Sequence, residues 1–435
     1  MSVNSASPLD ASQAQQVPDA TTTPRGALSH VRVLDLSRVL AGPWAGQTLG
    51  DLGAHVIKVE RPGTGDDTRL WGPPFLKDED GQATRDSAYY LCTNRNKQSI
   101  AVDFTQAAGQ QLLHELVKSC DIVIENFKVG SLAHYGLDYA SLQAINPRLI
   151  YCSITGFGQT GPYANRAGYD FLIQGMGGLM SVTGRPDGQP GEGPMKVGVA
   201  LTDILTGLYA STAILAALAA REQTGRGQHI DLALLDVGVA CLANQGMNYL
   251  YSGKSPTRMG NAHPNTVPYQ DFPTADGYMI LAIGNDGQFA KFCHAVGKSE
   301  WATDERFVSN QARVIHRDVL IPLMRQTTVM RTTREWIALF EQVGVPCGPI
   351  NTLADVFADP QVQARGLQFT MPHPVAGDIP LVASPIRMSD TPVQYRTTPP
   401  QLGQHTRAVL SEVLGLSEQT MNELQQQGVL GDLPA

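Results

Sequence analysis

The sequence predicts an α/β protein: a doubly wound domain built on a parallel sheet, with a second, smaller domain after it. Three observations predict this. Strand-like and helix-like patterns alternate from Val31 to Ile154. The first of them form a strand–helix–strand unit, the crossover that parallel strands require. After Leu232 the spacing changes, and residues 249–268 are rich in Gly, Pro, Asn and Ser. The length of 435 residues agrees, since single cores stop growing at about 250–300 residues.

Taken in order, residues 31–36 alternate as a strand, and a turn follows at Ala41-Gly42-Pro43. Residues 44–52 read as a short helix stopped by Gly53, and residues 55–60 as a second strand. Residues 98–104 are strand-like, 107–119 form an amphipathic helix, and 121–127 form a strand. A helix over 139–145 precedes a strand over 148–154. Ligands in such sheets sit at the carboxyl ends of the strands, here Ser37-Arg38, Glu60-Arg61, Asn126-Phe127 and Thr155-Gly156. Residues 269–283 read as a hairpin around Ala275-Asp276-Gly277, with helices over 288–296 and 333–343. A final amphipathic helix spans 405–414 and is expected to return to the first domain.

The expected organisation is a disordered tail over 1–25, then the N-terminal part of the large domain over 26–235 and a linker over 236–254. The small domain spans 255–355, a second linker 356–384, and the C-terminal part of the large domain 385–435. The tail is rich in Ser, Ala, Gln, Thr and Pro, lacks the apolar run of a signal peptide, and has a single Arg. Residues 204–220 are the most apolar stretch, yet they include Thr206, Ser211 and Thr212. A membrane span needs about 20 apolar residues, so a buried core helix is expected and no membrane contact.

Charged residues make up 17% of the chain and the net charge is −8, which gives no basic excess for nucleic acid. The six cysteines are scattered without a CxxC pair, so neither a metal site nor a redox dithiol is expected. Scattered thiols suit a reducing, cytoplasmic setting.

Several motifs each carry a functional and a bland reading. The first strand–helix–strand unit ends at Glu60, where a ribose-binding acid would stand. Its turn, however, runs Leu40-Ala41-Gly42-Pro43-Trp44-Ala45-Gly46, which is not the dinucleotide fingerprint, and a plain scaffold is the better reading. Arg61 and Arg69 flank a Gly-rich loop that suits either a phosphate or open solvent. Asn94-Arg95-Asn96-Lys97 reads as a polar turn or a nucleotide contact. Asp203, at the start of the long apolar helix, is an N-cap or a carboxylate nucleophile. A helix N-terminus favours the ionised carboxylate, and an apolar wall limits its solvation. Asp170 is a second candidate carboxylate. The run Gly260-Asn261-Ala262-His263 is a lid or a linker bend.

In combination, these segments resemble the class III CoA-transferases, the family of formyl-CoA and carnitine CoA-transferases. The segments are Leu34-Asp35-Leu36 to Ala41-Gly42-Pro43, residues 53–60 with Gly65-Asp66, and Asn94-Arg95-Asn96-Lys97. Glu125-Asn126-Phe127, Gly156-Phe157-Gly158, Ala167-Gly168-Tyr169-Asp170, Thr202-Asp203 and Thr224-Gly225-Arg226-Gly227-Gln228 complete the set. The resemblance covers the chain from about Leu28 onward. It implies a Rossmann-like large domain of N- and C-terminal parts, a smaller α+β domain between them, and an interlocked homodimer. It also implies a CoA thioester as substrate, with no permanently bound cofactor. Asp203 matches the nucleophile and Asp170 its companion acid. CoA contacts carry over to Val39, Leu40, Ala41, Arg61, Val102, Asn126, Phe127, Lys128, Ala167, Gly168 and Tyr169. The 260–263 run matches a substrate lid.

Leu40, His134 and Ala167 replace residues typical of formyl-CoA transferase, and the lid is not all Gly, which argues against formyl or oxalyl substrates. The α-methylacyl-CoA racemases of the same fold carry a His where Tyr169 stands, and a phenol with reference pKa about 10 is a poor base near neutrality. Phrases such as 65–75, 267–270, 344–351 and 402–406 look most like the succinyl-CoA:glutarate CoA-transferases. A dicarboxylate needs a cation for its far end, and Arg38, Arg69, Arg258 and His263 are the candidates.

Overall fold

A computed structural model describes residues 26–431; the expected tail over 1–25 lies outside the described residues. Six parallel strands form the main sheet. Their spatial order is Lys97–Ala101, His55–Glu60, Arg32–Asp35, Ile122–Glu125, Ile150–Thr155 and His229–Ala233. Every adjacent pair in this sheet is parallel. The first strand in sequence lies inside the sheet, and the chain leaves it first to one side and then to the other. That reversal leaves a crevice beyond its carboxyl end, where such sheets bind ligands.

The apolar side chains of these strands project to both sheet faces, and both faces are covered. On one face Leu34, Ile57, Ile100, Val123 and Tyr151 pack on the helix Ala107–Val117 and on the chain's end, through Leu410, Met421 and Leu430. The expected return of the last helix is thus observed, as Thr406–Leu414. On the other face Val33, Val56, Ile124 and Cys152 pack on the helices Ala41–Asp51 and Leu201–Thr224.

Helix Leu201–Thr224 is long and apolar enough to cross a membrane by length and composition. Its Ala210, Ile214 and Ala217 are buried against the sheet, while Leu208, Tyr209 and Leu215 on its other side are exposed, so the expected burial holds for one face only. It runs alongside Ala41–Asp51, and the contact is close: a Cβ on Gly207 would lie 2.7 Å from the Ala41 carbonyl oxygen.

A separate apolar core lies in the 267–347 region. Its antiparallel sheet pairs Tyr269–Pro273 with Tyr278–Ala282, as the hairpin pattern predicts, and adds Cys347–Pro349. Helices Asp286–Ala295 and Thr333–Val343 cover it through Phe289, Phe292, Trp336 and Phe340.

The two stretches expected to be linkers are structured. Residues 236–254 carry most of helix Leu234–Ala240 and all of Ala243–Ser252. Within 356–384, strands Gln368–His373 and Gly377–Val382 pair antiparallel and pack Met371, Ile379 and Leu381 near Leu76, Leu91 and Tyr395. Pro372 and Pro380 interrupt both strand patterns, which hides this hairpin from a reading of periodicity.

Candidate active site

A lattice of buried charge fixes the loops at the carboxyl edge of the sheet. Lys58, fully buried, donates to Asp66 Oδ2 and to the Ser37 carbonyl, both at 2.9 Å. Burial alone would raise the Asp66 carboxyl, but the Lys58 ammonium and bonds from Lys58 and Thr68 outweigh it and hold the group at about 2. Asp66 Oδ1 also accepts the Val39 N–H at 3.2 Å. Asn126 clamps the same loop: its Oδ1 accepts the Arg38 N–H at 2.8 Å and its Nδ2 donates to the Arg38 carbonyl at 2.6 Å. Between these two grips Val39 adopts φ of 70°, a conformation costly for a β-branched residue. Strain of this kind persists only where the surroundings over-determine it.

The cleft beyond this loop has a volume of about 210 Å³. Leu36, Arg38, Arg61, Val102, Phe104, Phe127 and Tyr135 are among its walls. Phe104 meets Phe127 and Tyr135 edge-on, and the Arg38 guanidinium lies 5.1 Å from the Phe127 ring centre. Arg61 is exposed at the rim. An aromatic floor with cations at its mouth suits a flat, phosphate-bearing ligand. Of the residues singled out in the sequence, Arg61, Val102 and Phe127 therefore meet in one cavity. Leu40 and Ala41 are buried at the start of helix Ala41–Asp51, and Lys128 is exposed beside the cleft-lining Phe127.

Asp203 is the third residue of Leu201–Thr224, one turn before Gly207 and hence beside Ala41. It is not the N-cap: that position is Ala200, which has no capping side chain. The cap is remote. Asp170 Oδ1 accepts the Thr202 N–H at 2.8 Å, the Asp203 N–H at 3.4 Å and the Thr202 hydroxyl. Among the described residues nothing donates a hydrogen bond to the Asp203 carboxylate. Burial, and after it the charge of Asp170, push the Asp203 carboxyl up to about 7. A carboxylate that no donor binds keeps its lone pairs free, which is what covalent catalysis asks of a nucleophile.

Sequence reasoning missed two groups here. Tyr89 senses Asp203: burial and then the Asp203 charge push its phenol far above its usual range, so it remains an O–H donor. Trp71 stands edge-on to Tyr89 with ring centres 5.3 Å apart. Gln174 is buried and donates to Asp170 Oδ2 at 2.7 Å. Its position four residues after Asp170 was the available signal, since such residues share a helix face.

Ala167, Gly168 and Tyr169 lead into the helix Asp170–Met176 with Tyr169 exposed at its start. Gly168 touches Gly156 backbone to backbone, where a Cβ would lie 2.5 Å from the Gly156 Cα. The lid candidates are tied to other segments. Gly260 N–H donates to the Gly184 carbonyl at 3.0 Å and His263 N–H to the Tyr269 carbonyl at 3.0 Å. Arg317 holds the His263 and Pro264 carbonyls, while Asn261 is exposed and Ala262 half-buried.

One expectation changes, and two structural readings hold. Arg69 cannot meet a substrate carboxylate: it is buried, bonded to both Glu60 oxygens, to Asp86 and to the Tyr90 hydroxyl. Glu60 is no ribose-binding acid, because Arg69, Ser99 and the Asp66 N–H occupy its oxygens. Asn94-Arg95-Asn96-Lys97 is a buried structural knot, tied to Asp51 and Asp35. Arg38 pairs with Asp67 and Arg258 with Asp187, both at the surface. Among the described residues no cluster of His, Cys, Asp and Glu has metal-binding geometry.

Comparison with known proteins gives this arrangement a family. The CoA-transferase family III profile matches residues 28–406. The chain is 55% identical over 386 residues to a succinate–glutarate CoA-transferase of Agrobacterium fabrum, covering 89% of this chain and 95% of that protein. It is 46% identical over 403 residues to a succinyl-CoA:glutarate CoA-transferase of Mus musculus, covering 93% and 90%. The crystal structure of a CAIB/BAIF family protein from Brucella suis superposes with a TM-score of 0.78 at 53% identity, over 89% of this chain and 100% of that one. A family match over residues 28–406 and relatives matched across about nine-tenths of the chain lead to one conclusion: the chain belongs to CoA-transferase family III, and it is a CoA-transferase.

Proposed function

We propose that the enzyme moves CoA from succinyl-CoA to glutarate or a closely similar dicarboxylate, with Asp203 as nucleophile, and that it works as a homodimer in the cytoplasm. The acid pair follows the names of the relatives at 55% and 46% identity. The mechanism is carried by one observation: the Asp203 carboxylate is half-buried and meets no donor.

The reaction then runs in four balanced exchanges. The Asp203 carboxylate attacks the thioester carbonyl and expels the CoA thiolate, leaving an aspartyl–succinyl anhydride. The thiolate attacks the Asp203 carbonyl and releases succinate, which gives an aspartyl-CoA thioester. The acceptor carboxylate attacks that thioester, expels the thiolate again and forms a second anhydride. The thiolate takes the acceptor's acyl group, and the Asp203 carboxylate is restored. Each step trades one activated acyl group for another. Asp170 holds the helix amides, and the 37–41 loop seats the thiol end.

Support for the dimer comes from helix Ala243–Ser252, which leaves Leu250 and Tyr251 73% and 95% exposed, the kind of apolar surface that marks an interface. All six cysteines are free thiols, in keeping with a reducing compartment. The test is kinetic. Succinyl-CoA with a panel of dicarboxylates is expected to show ping-pong kinetics and highest kcat/KM with glutarate. A sequential pattern, or transfer restricted to monocarboxylates, refutes the assignment.

A further inference from the structure

We infer that Gln174 is a positioning residue of the transfer reaction: it fixes Asp170 as the cap of helix Leu201–Thr224 and thereby keeps the Asp203 carboxylate out of that cap. The inference rests on the assignment of Asp203 as nucleophile.

The third residue of a helix is where an acidic side chain ordinarily folds back onto the free amides of the first turn. An Asp there would satisfy its own helix and lose its lone pairs to hydrogen bonds. In this fold the amides of residues 202 and 203 are already taken by Asp170. Asp170 can hold that position because its second oxygen is anchored by Gln174 Nε2 at 2.7 Å. Gln174 is 0% exposed, and its remaining capacity is used on the chain that leads into the helix. Its Oε1 accepts the Val197 N–H at 2.9 Å, and its Nε2 lies 3.4 Å from the Val199 carbonyl. One amide side chain thus spans the capping carboxylate and the 197–199 segment. Ile173, its neighbour on the same helix, is buried in the main core, so the anchor stands on a rigid base.

The groups that act on Asp203 are few. Asp170 reaches it from helix Asp170–Met176, and Tyr89 is coupled to it from the short helix Ala88–Leu91. Helix Ala41–Asp51 presents Ala41 and Trp44 to the next turn, and helix Leu234–Ala240 presents Gly238 to Thr202, all uncharged. Releasing Asp170 therefore changes both the charge and the hydrogen bonding that Asp203 experiences.

The test is single-turnover acylation of Asp203 by saturating succinyl-CoA, followed against pH. Gln174→Met keeps the volume and removes both bonds. It is expected to slow acylation by about a hundredfold, the effect of misplacing a reacting group by about 1 Å, with KM for succinyl-CoA within about twofold. The acid limb of the profile should move to lower pH, because an Asp203 carboxylate that accepts its own helix amides is easier to ionise. Gln174→Glu places a further negative charge there and should move the limb upward; it decides the question if the Met variant fails to fold. In an Asp170→Asn background Gln174→Met should add little, since the two act as one unit. A folded Gln174 variant with the native acylation rate and an unmoved limb overturns the inference. An additive double mutant does so too. If the label instead lies on a residue other than Asp203 in the unaltered enzyme, it is the nucleophile assignment that fails.

Discussion

Asp203 combines two properties that oppose each other. Its carboxyl is pushed up to about 7 by burial and by Asp170, so at neutral pH the fold holds an anion it would prefer protonated. A folded-state pKa above the unfolded value means that the group favours folding below about pH 4, and that this advantage is lost as pH rises to about 7. Asp203→Asn is therefore expected to abolish transfer while raising stability at pH 8 by on the order of 2 kcal/mol, after allowance for partial exposure. Thermal unfolding of both forms across pH measures this, and the gain should vanish near pH 4. Transfer by the native enzyme should fall as pH drops through about 7, because the attacking species is the carboxylate. Asp66 shows the reverse sign. It is held at about 2, so its stabilising effect persists until strongly acid pH. Asp66→Asn removes the carboxylate that Lys58 bonds, leaving Asp35 and Glu60 as the charges that offset its buried ammonium, and should cost up to about 3–5 kcal/mol in denaturant unfolding. Asp203 and Asp170 were both legible in the sequence. Gln174 offered only its spacing of four from Asp170 as a signal, and Tyr89 offered none, because its link to Asp203 is made only on folding.

Among the elements, most of the sheet and its helices were legible because β-branched and apolar residues recur along the strands and Gly or Pro punctuates the connections. Strand His55–Glu60 and helices Tyr139–Ile145 and Thr333–Val343 fall where periodicity places them. Helix Ala41–Asp51 begins three residues before its predicted start, since Pro43 fits a first turn whose amides need no partner. The contact of this helix with Leu201–Thr224 was not legible: Gly207 looks like any helix glycine until the Ala41 carbonyl is placed 2.7 Å from its absent Cβ. Gly207→Val should force the helices apart and cost about 1–3 kcal/mol by overpacking. Because Ala41 ends the strained 37–41 loop, the same change should raise KM for succinyl-CoA, measurable by steady-state kinetics, with a native KM contradicting the placement.

For the molecule as a whole, the sequence told of an α/β body and a smaller antiparallel region, and the structure adds how the chain's end completes the large core. Leu410, Met421 and Leu430 lie in the same cluster as Leu34 and Val123. A truncation before residue 405 should therefore unfold the large core rather than trim a surface. The exposed apolar helix Ala243–Ser252 predicts assembly. Sedimentation should give twice the 46.8 kDa chain mass, and a stable monomer at micromolar concentration would contradict the proposed dimer.

The central claim is that the donor acyl group passes through a bond to Asp203, and peptide mass spectrometry of the trapped enzyme tests it most directly. Enzyme mixed with succinyl-CoA in the absence of acceptor, quenched and digested, should carry a hydroxylamine-sensitive adduct on the peptide containing Asp203, and the Asp203→Asn enzyme should carry none. A label on any other residue, or full turnover with no covalent adduct, would contradict the account.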